Sequence, residues 1–403
     1  MRLSYVILSH NRRDALLRNL AQLPSLTPLP ENQWEIWVVD DASKDGTIEA
    51  VQRDFPHVNL IRNEVNQGVA AQNHAFTRCG GEYILSLDEA SYPVEPRNVS
   101  LMIAHLNAHS SVGAVVGKTI GPDGSSSGPA MPSMLMSGAT AFRRSALLKV
   151  GGFRFELRGA AAELDLSCRL WQAGARIDRR EDITFAHDLM DDSDAKALSP
   201  AAARQIELRN WLIVAQRFLP HPLRRIYWQD FRLRYEALAR HGGGIGDIEW
   251  GIWGARMWSA RDALFGRMEL SEEAIENVFG LRQAAIKVGD WARRNSTWRV
   301  VLADFGENMW ATYNACRASG LQLRCIADEN SAFDGLEYRG LPIVSAHRAF
   351  EGGGIDGVVI ANMNPAEIEM RVKAIRRSFK GPILRLWEPP RLATQVRPVA
   401  IAA

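Results

Sequence analysis

Cysteine is scarce in this chain and never clustered. The four residues Cys79, Cys168, Cys316 and Cys325 show no C-x-x-C spacing. That excludes a zinc ribbon or a disulfide framework and reads as small buried hydrophobes in a reducing compartment. No apolar run approaches the roughly 20 residues of a membrane span. Charge of one sign is lacking as well: 48 Lys and Arg against 46 Asp and Glu leave a net +2. Nucleic acid, which calls for a concentrated basic face, is therefore not an expected partner. A secretory leader is missing, because Met1–Leu8 already reads as a strand. These absences point to a cytoplasmic protein.

What remains is an ordinary globular composition, 46% hydrophobic and 23% charged over 403 residues, enough for two domains and a connector. Through residue 198, β-rich runs alternate with helical patterns, which predicts an α/β domain with a mostly parallel sheet and helices on its faces. Gly121–Gly128 reads as a loop bordering a cleft. Residues 199–297 turn helical; eight of the 12 tryptophans fall from Trp211 to Trp310. Gly242–Gly246 divides this stretch. Ser271-Glu272-Glu273 reads as a helix start, a hydroxyl cap followed by acids at the positive end of the dipole. Residues 298–390 carry a second, smaller α/β pattern, with strands at W-R-V-V-L-A from Trp298, Leu323–Asp328, Ile343–Val344, Gly357–Ala361 and Ile383–Leu386. Residues 391–403 read as a tail.

The most telling stretch is Val38–Thr47, V-V-D-D-A-S-K-D-G-T. Apolar residues end a buried strand, paired carboxylates follow at its tip, and a turn leads into a helix. Open α/β sheets bind ligands at that place, where a carboxylate can accept hydrogen bonds from a base or ribose. The same residues also suit a plain helix-capping corner. Around it, in order, stand the strand Leu3–Leu8 with Ser9-His10-Asn11-Arg12, then Asn63–Asn73 (N-E-V-N-Q-G-V-A-A-Q-N) and Gly81–Glu89 (G-E-Y-I-L-S-L-D-E). Ser137–Phe153 and Ala162–Leu170 (A-E-L-D-L-S-C-R-L) complete the series. Over roughly residues 1–215 this resembles the inverting family 2 glycosyltransferases, which have the GT-A fold.

The resemblance implies a nucleoside site at Ser9, Asn11 and Asp41, with Asp40 bracing the loop. Gly68 and Asn73 lie beside the nucleotide in the same scheme, although Asn66 and Asn73 also fit helix capping. Relatives hold Mg²⁺ or Mn²⁺ against the diphosphate with a D-x-D at a strand end. Here Asp88 supplies one acid, and Ala90 (or Ser86 in the other register) stands where the second belongs. Glu89 is the adjacent substitute, and His187 matches a position where some relatives add an imidazole; a lone His is also simply structural. Metal ligation by Asp88, Glu89 and His187 is thus expected only with an incomplete motif, and no redox cofactor is implied. Glu163 and Asp165 are the catalytic candidates, Glu163 at the general-base position and Ala162 in place of its usual companion acid. Two residues apart on a helix point about 200° from each other. Asp165 is therefore expected to cap the helix or pair with Arg169.

The C-terminal α/β stretch resembles the Rossmann-like modules appended to sugar-modifying enzymes. Of a G-x-G-x-x-G turn it keeps only Gly306, with Asp304 and Met309 in the other places, so a negative charge would face a pyrophosphate. Asp328 fits a ribose-binding carboxylate, yet a structural or partner-binding role is expected over dinucleotide binding. The Arg and Trp residues of the middle region admit two readings: a membrane-surface patch suited to a lipid-linked acceptor, or packing anchors with snorkelling stems.

The resemblance implies transfer of a sugar, with inversion, from a UDP-, GDP- or dTDP-linked donor to a hydroxyl of a saccharide, lipid-linked or protein-linked acceptor. Peripheral contact with the inner face of the membrane is part of that expectation. Ala90, Ala162 and the degraded glycine turn favour the alternative, a non-catalytic sugar-nucleotide-binding or scaffold protein of a glycan assembly system.

Overall fold

The computed structural model describes residues 2–126, 128–157, 160–188, 199–265, 267–351 and 353–388. Eight strands build the first sheet: β1 Leu3–Ser9, β2 Trp34–Asp41, β3 Asn59–Asn63, β4 Tyr83–Asp88, β5 Ser91–Pro93, β6 Val112–Ile120, β7 Thr140–Arg143 and β8 Arg176–His187. Their order is β3-β2-β1-β4-β7-β6-β8-β5. The sheet is mostly parallel, as expected. β7 departs by running antiparallel between β4 and β6, and β5 by running antiparallel on β8.

β1 is apolar on both faces because both faces are covered. Tyr5 and Ile7 join the layer formed with Leu16, Leu20, Met102 and Leu106, whereas Val6 faces Ala75, Phe76 and the helix Ala160–Gln172. Register then aligns the strand tips. Ser9 pairs with Asp40, Leu8 with Asp88, and Asp41 with Asn63. The carboxylates named from sequence on β2 and β4 therefore lie on either side of β1 at one end of the sheet.

Five helices follow, Pro200–Phe218, Leu223–Gly242, Ile245–Phe265, Glu272–Phe279 and Leu281–Asn295. Ser271 caps the fourth, its Oγ accepting from the Ala274 N–H as read from the sequence. These helices are no loose connector. Trp211, Leu212, Phe218, Tyr227 and Phe279 continue the core that covers the first sheet, while Ala237, Ala284 and Val288 enter the core of the second. Packing thus accounts for Trp211, which is buried, and in part for Trp228 and Trp258. Trp250 and Trp253 differ, with 62% and 55% of their surfaces exposed.

The second sheet has the order β11-β12-β10-β9-β13-β14. Its strands are β9 Arg299–Ala303, β10 Gln322–Ala327, β11 Glu337–Tyr338, β12 Leu341–Val344, β13 Gly357–Ile360 and β14 Ile383–Arg385. All are parallel except β11, which forms a hairpin edge on β12. Chain order reverses between β9 and β13, a switch point of the kind that leaves a crevice at the strand tips. The tail at 391–403 lies outside the described residues.

Candidate active site

At the tips of β1 and β2 two loops clamp each other. Asn11, in the left-handed region at φ 52°, receives the Lys44 N–H on Oδ1 (2.7 Å), and its own N–H reaches Ser43 Oγ (2.9 Å). His10 Nδ1 meets the Asp41 carbonyl at 2.7 Å. Asp41, expected at the nucleoside, is buried and engaged within the protein. Its carboxylate accepts from Asn63 Nδ2 (3.0 Å), the Gln67 N–H (2.9 Å) and the Gly68 N–H (2.7 Å). Gly68 adopts φ 64°, which a residue without Cβ reaches at little cost. Asp41 therefore positions the Gly68 loop. Asp40 braces its turn by accepting the Ser43 N–H at 3.1 Å, yet its Oδ1 is buried without a partner. Ser9 Oγ beside it is likewise unpartnered. The bracing contact of Asp40 is the one its place in the turn implied.

Asn73 is held elsewhere. Its amide closes on Phe153 in both directions, Nδ2 to the carbonyl (2.7 Å) and Oδ1 from the N–H (2.9 Å). A Cβ on Gly152 would come within 2.1 Å of that amide, so the glycine and the asparagine fit as a pair.

At the tip of β4, Asp88 Oδ1 accepts the Ala90 N–H (3.0 Å) and Oδ2 lies 3.2 Å from His187 Nε2. The register of β5 on β8, Ser91 opposite His187, brings the imidazole there. Burial would raise the Asp88 carboxyl, but hydrogen bonds from His187, Ser91 and the Ala90 N–H, together with the His187 charge, bring it below its usual value. His187 is raised in turn, chiefly by its bond to Asp88. Glu89 turns toward Arg12 (3.2 Å), and burial, reinforced by the negative Asp88, pushes it up to about 7. Asn19 Nδ2 fixes this turn through the Ser91 carbonyl (2.8 Å). Among the described residues no three His, Cys, Asp or Glu side chains converge as metal ligands. Asp88 and His187 meet; Glu89 is diverted to Arg12.

Gly138 lies between this acid and the Ser137–Glu163 contact. A Cβ there would stand 2.3 Å from Ser91 Oγ and 2.9 Å from Asp88 Oδ2, and its φ is 79°. One residue earlier, Ser137 Oγ donates to Glu163 Oε1. Glu163 is 7% exposed, and its Oε2 is buried without a partner. Burial raises its carboxyl, opposed by the Ser137 hydrogen bond. Ser137 and Asn19 were missed from sequence; Ser137 at least opens the Ser137–Phe153 motif.

Asp165 has another environment. It is wholly buried, Oδ2 accepting from Arg169 Nε (2.8 Å) and Nη2 (2.5 Å), Oδ1 from Arg217 Nη1 (3.0 Å). Arg217 also reaches Asp262 (2.8 Å) and Glu156 (3.1 Å). Of the two expectations for Asp165, pairing with Arg169 is the one seen, and its complete burial against the two guanidiniums keeps it from substrate. Ala162 is fully buried in the apolar core, where a second carboxylate would have no solvent and no donor.

The model of glycosyl transferase family 2 matches residues 4–151, the segment that carries β1, β2, β4, β7 and their loops. This segment is similar to a family 2 glycosyltransferase domain. EpsE of Bacillus subtilis (strain 168), which bears a glycosyltransferase name, is 28% identical over 200 residues, 44% of this chain and 70% of its own length. An uncharacterized glycosyltransferase of Haemophilus influenzae is 36% identical over 88 residues, 22% of this chain and 29% of that one. Among solved structures, S. aureus TarS 1-349 in complex with UDP-GlcNAc aligns with a TM-score of 0.49 at 15% identity, covering 80% of this chain and 93% of that one. The mannosyltransferase PcManGT of Pyrobaculum calidifontis, in complex with GDP-Man and Mn²⁺, aligns with a TM-score of 0.44 at 18% identity, covering 79% and 85%. The glycosyltransferase domain has the α/β sheet that the GT-A resemblance implied. No helix among the described residues is long and apolar enough to cross a membrane.

Proposed function

We propose that the chain transfers a sugar from a nucleoside diphosphate donor (UDP-, GDP- or dTDP-linked) to a hydroxyl acceptor with inversion, using Glu163 as general base. One observation carries the reading. Glu163 is buried, has one oxygen without a partner, and is tied through Ser137-Gly138 to the Asp88–His187 pair. A base of raised pKa on one side of a sugar and a leaving-group site on the other is what inversion requires. Asp40 and Ser9, with unpartnered buried oxygens at adjacent strand tips, suit the nucleoside. Asp41 and Gly68 shape the loop beside it, and Asn11 holds the facing turn.

The leaving diphosphate needs positive charge near Asp88. His187, raised toward the protonated state, supplies part of it. With His187 neutral, the donor set would instead fit a divalent ion: Asp88 gives a hard carboxylate oxygen and His187 a nitrogen, and such ions commonly complete their coordination with substrate phosphates. Mg²⁺ or Mn²⁺ there would neutralise the departing charge. A lipid-linked acceptor accords with exposed Trp250 and Trp253, whose rings meet edge to face at 5.6 Å and suit a membrane interface. Saccharide and protein-linked acceptors use the same base chemistry.

The non-catalytic alternative draws on Asp41, whose carboxylate is already committed to backbone donors. Turnover separates the two readings. Purified protein incubated with each donor class and a glycan acceptor should release nucleoside diphosphate. Donor binding without release from any donor would leave a binding protein.

A further inference from the structure

An unassigned feature lies outside the Glu163 environment, at the carboxyl tips of β9, β10 and β13. A cavity of about 470 Å³ opens there, closed from the other side by Gly128–Ala130 and Trp211. That volume suits a small ligand, and the location is the switch point of the second sheet. Asp304 is its most unusual wall. It is 6% exposed, sits in the left-handed region at φ 69°, and has no aligned hydrogen-bond donor on either carboxylate oxygen. Arg371 Nε lies 2.6 Å from Oδ1, a charge contact whose angles fall short of a hydrogen bond. The Arg371 ion pair matches the charge of Asp304 and Asn362 lies beside it, while the carboxylate oxygens keep lone pairs that a ligand donor can meet.

The electrostatics define the ligand. Four carboxylates (Asp304, Glu307, Asp328, Glu367) and two guanidiniums (Arg234, Arg371) line the cavity. Both guanidiniums are already matched, Arg371 by Asp304 and Arg234 by Glu307 at 3.3 Å. No cation is left over for a phosphate, and Asp304 would repel one. Asp328 accepts the Phe305 N–H (2.7 Å) and the Asn330 N–H (2.8 Å), one on each oxygen, and each oxygen has a further lone pair. Asn362 and Asn364 donate to Glu367 through one amide hydrogen each (2.6 and 3.0 Å) and have a second to offer. Acceptors and donors thus share a site in which two carboxylates, Asp328 and Glu367, are held by neutral N–H donors and exceed the guanidiniums. Neighbouring hydroxyls, each able to donate and accept, fit that lining; a diphosphate does not.

We propose that this cavity binds an uncharged saccharide through its hydroxyls, with Asp304, Asp328 and Asn362 as the contacting groups, and rejects phosphorylated ligands. Its wall is continuous with the transfer site. Ala130 lines the cavity and Ser137 holds Glu163, and seven residues of chain span at most about 25 Å. Gly128 fixes this wall to the second sheet, since a Cβ there would meet Asn364 Cα at 2.4 Å. The saccharide is accordingly assigned as a distal part of acceptor or product, a step that rests on the transferase reading; the binding itself does not.

Saturation-transfer NMR on the full chain tests it, with the methyl glycosides of glucose, galactose, mannose and N-acetylglucosamine as probes and inorganic diphosphate as competitor. At least one glycoside should give signals that diphosphate leaves intact and that survive in Glu163→Gln. Asp304→Asn should weaken that glycoside on the order of tenfold, the loss of one charge-assisted hydrogen bond. Asn362→Ala, at a half-buried position on the rim, guards against a folding defect and should weaken it too. Three results would each overturn the proposal: no glycoside signal, displacement by diphosphate, or signals kept in both cavity variants and lost in Glu163→Gln. Nucleoside diphosphate release in the transferase assay is read separately, so loss of one reading leaves the other standing.

Discussion

Glu163 and Asp165 stand two residues apart on one helix, both buried, and only Glu163 has a carboxylate oxygen without a protein partner. Their substitutions should separate cleanly. Glu163→Gln preserves shape and removes the base, so turnover should fall by about 10²–10⁴ with little change in melting temperature. Asp165→Asn breaks a buried pair with Arg169 and Arg217, and should lower stability by about 3–5 kcal/mol. Calorimetric unfolding beside initial rates checks both. A Glu163→Gln variant with full turnover would remove the base assignment.

Ser137→Ala should move the pH profile. The Ser137 hydrogen bond holds the Glu163 carboxyl down against burial, so its loss raises that pKa further. A general base works deprotonated, and the acidic limb of kcat/KM should therefore shift to higher pH while the plateau is largely kept. An unshifted limb in Ser137→Ala would mean that another group sets it.

The fold was legible wherever burial imposed a pattern. β1, β2, β4, β9 and β13 are short apolar runs ended by Ser, Asp or Asn, and two-sided burial writes such runs directly. The helix start at Ser271 was legible for a local reason, a hydroxyl facing its own first turn. The partners of Asp41 and Asn73 were not, because they depend on backbone N–H groups 26 and 80 residues away. Asp165 was half legible: its partner at i+4 followed from helix geometry, whereas Arg217 lies 52 residues on and is visible only in the fold. The reversal of β7 is likewise set by a long connection that carries no periodic signal.

Asp88 and His187 give a linkage test. The folded His187 pKa is raised, so its contribution to stability is fully present below the unfolded value, near 6.5, and lost as pH rises through the folded value. The folded Asp88 pKa is lowered, so its contribution is present above the unfolded value, near 3.9, and lost as pH falls through the folded one. The melting temperature of the native chain should therefore exceed that of His187→Gln most between about pH 4 and 6.5. The gap should narrow on both sides. A pH-independent gap would mean that His187 acts by packing alone.

Trp250 and Trp253 should govern any attachment to lipid. Replacing both exposed rings with Ala removes apolar surface that contributes nothing to the core, so the melting temperature should hold. Sedimentation with vesicles containing anionic phospholipid should then drop several-fold relative to the native chain. Equal sedimentation of the two proteins, or none by either, would count against a lipid-linked acceptor presented at this helix.

Gly138 is the position where the two halves of the proposed chemistry are least forgiving. Its backbone at φ 79° disfavours any side chain, and an added methyl would press on Ser91 Oγ at 2.3 Å and Asp88 Oδ2 at 2.9 Å. Turning the Ser91 hydroxyl would not relieve this: Ser91 Cβ would still stand 3.1 Å away on a backbone held by Asn19 and by pairing with His187, and Asp88 is held by His187 and the Ala90 N–H. Relief must come from the 137–138 backbone itself, which would carry Ser137 off Glu163. Gly138→Ala should accordingly cost more than about 1 kcal/mol in stability and also lower kcat, whereas Gly151→Ala, at the same φ of 79° with open space around it, should show the backbone cost alone. Comparing kcat per folded protein in the two variants isolates the contact from the strain. Equal kcat in both would break the proposed link between the Asp88 pair and the base.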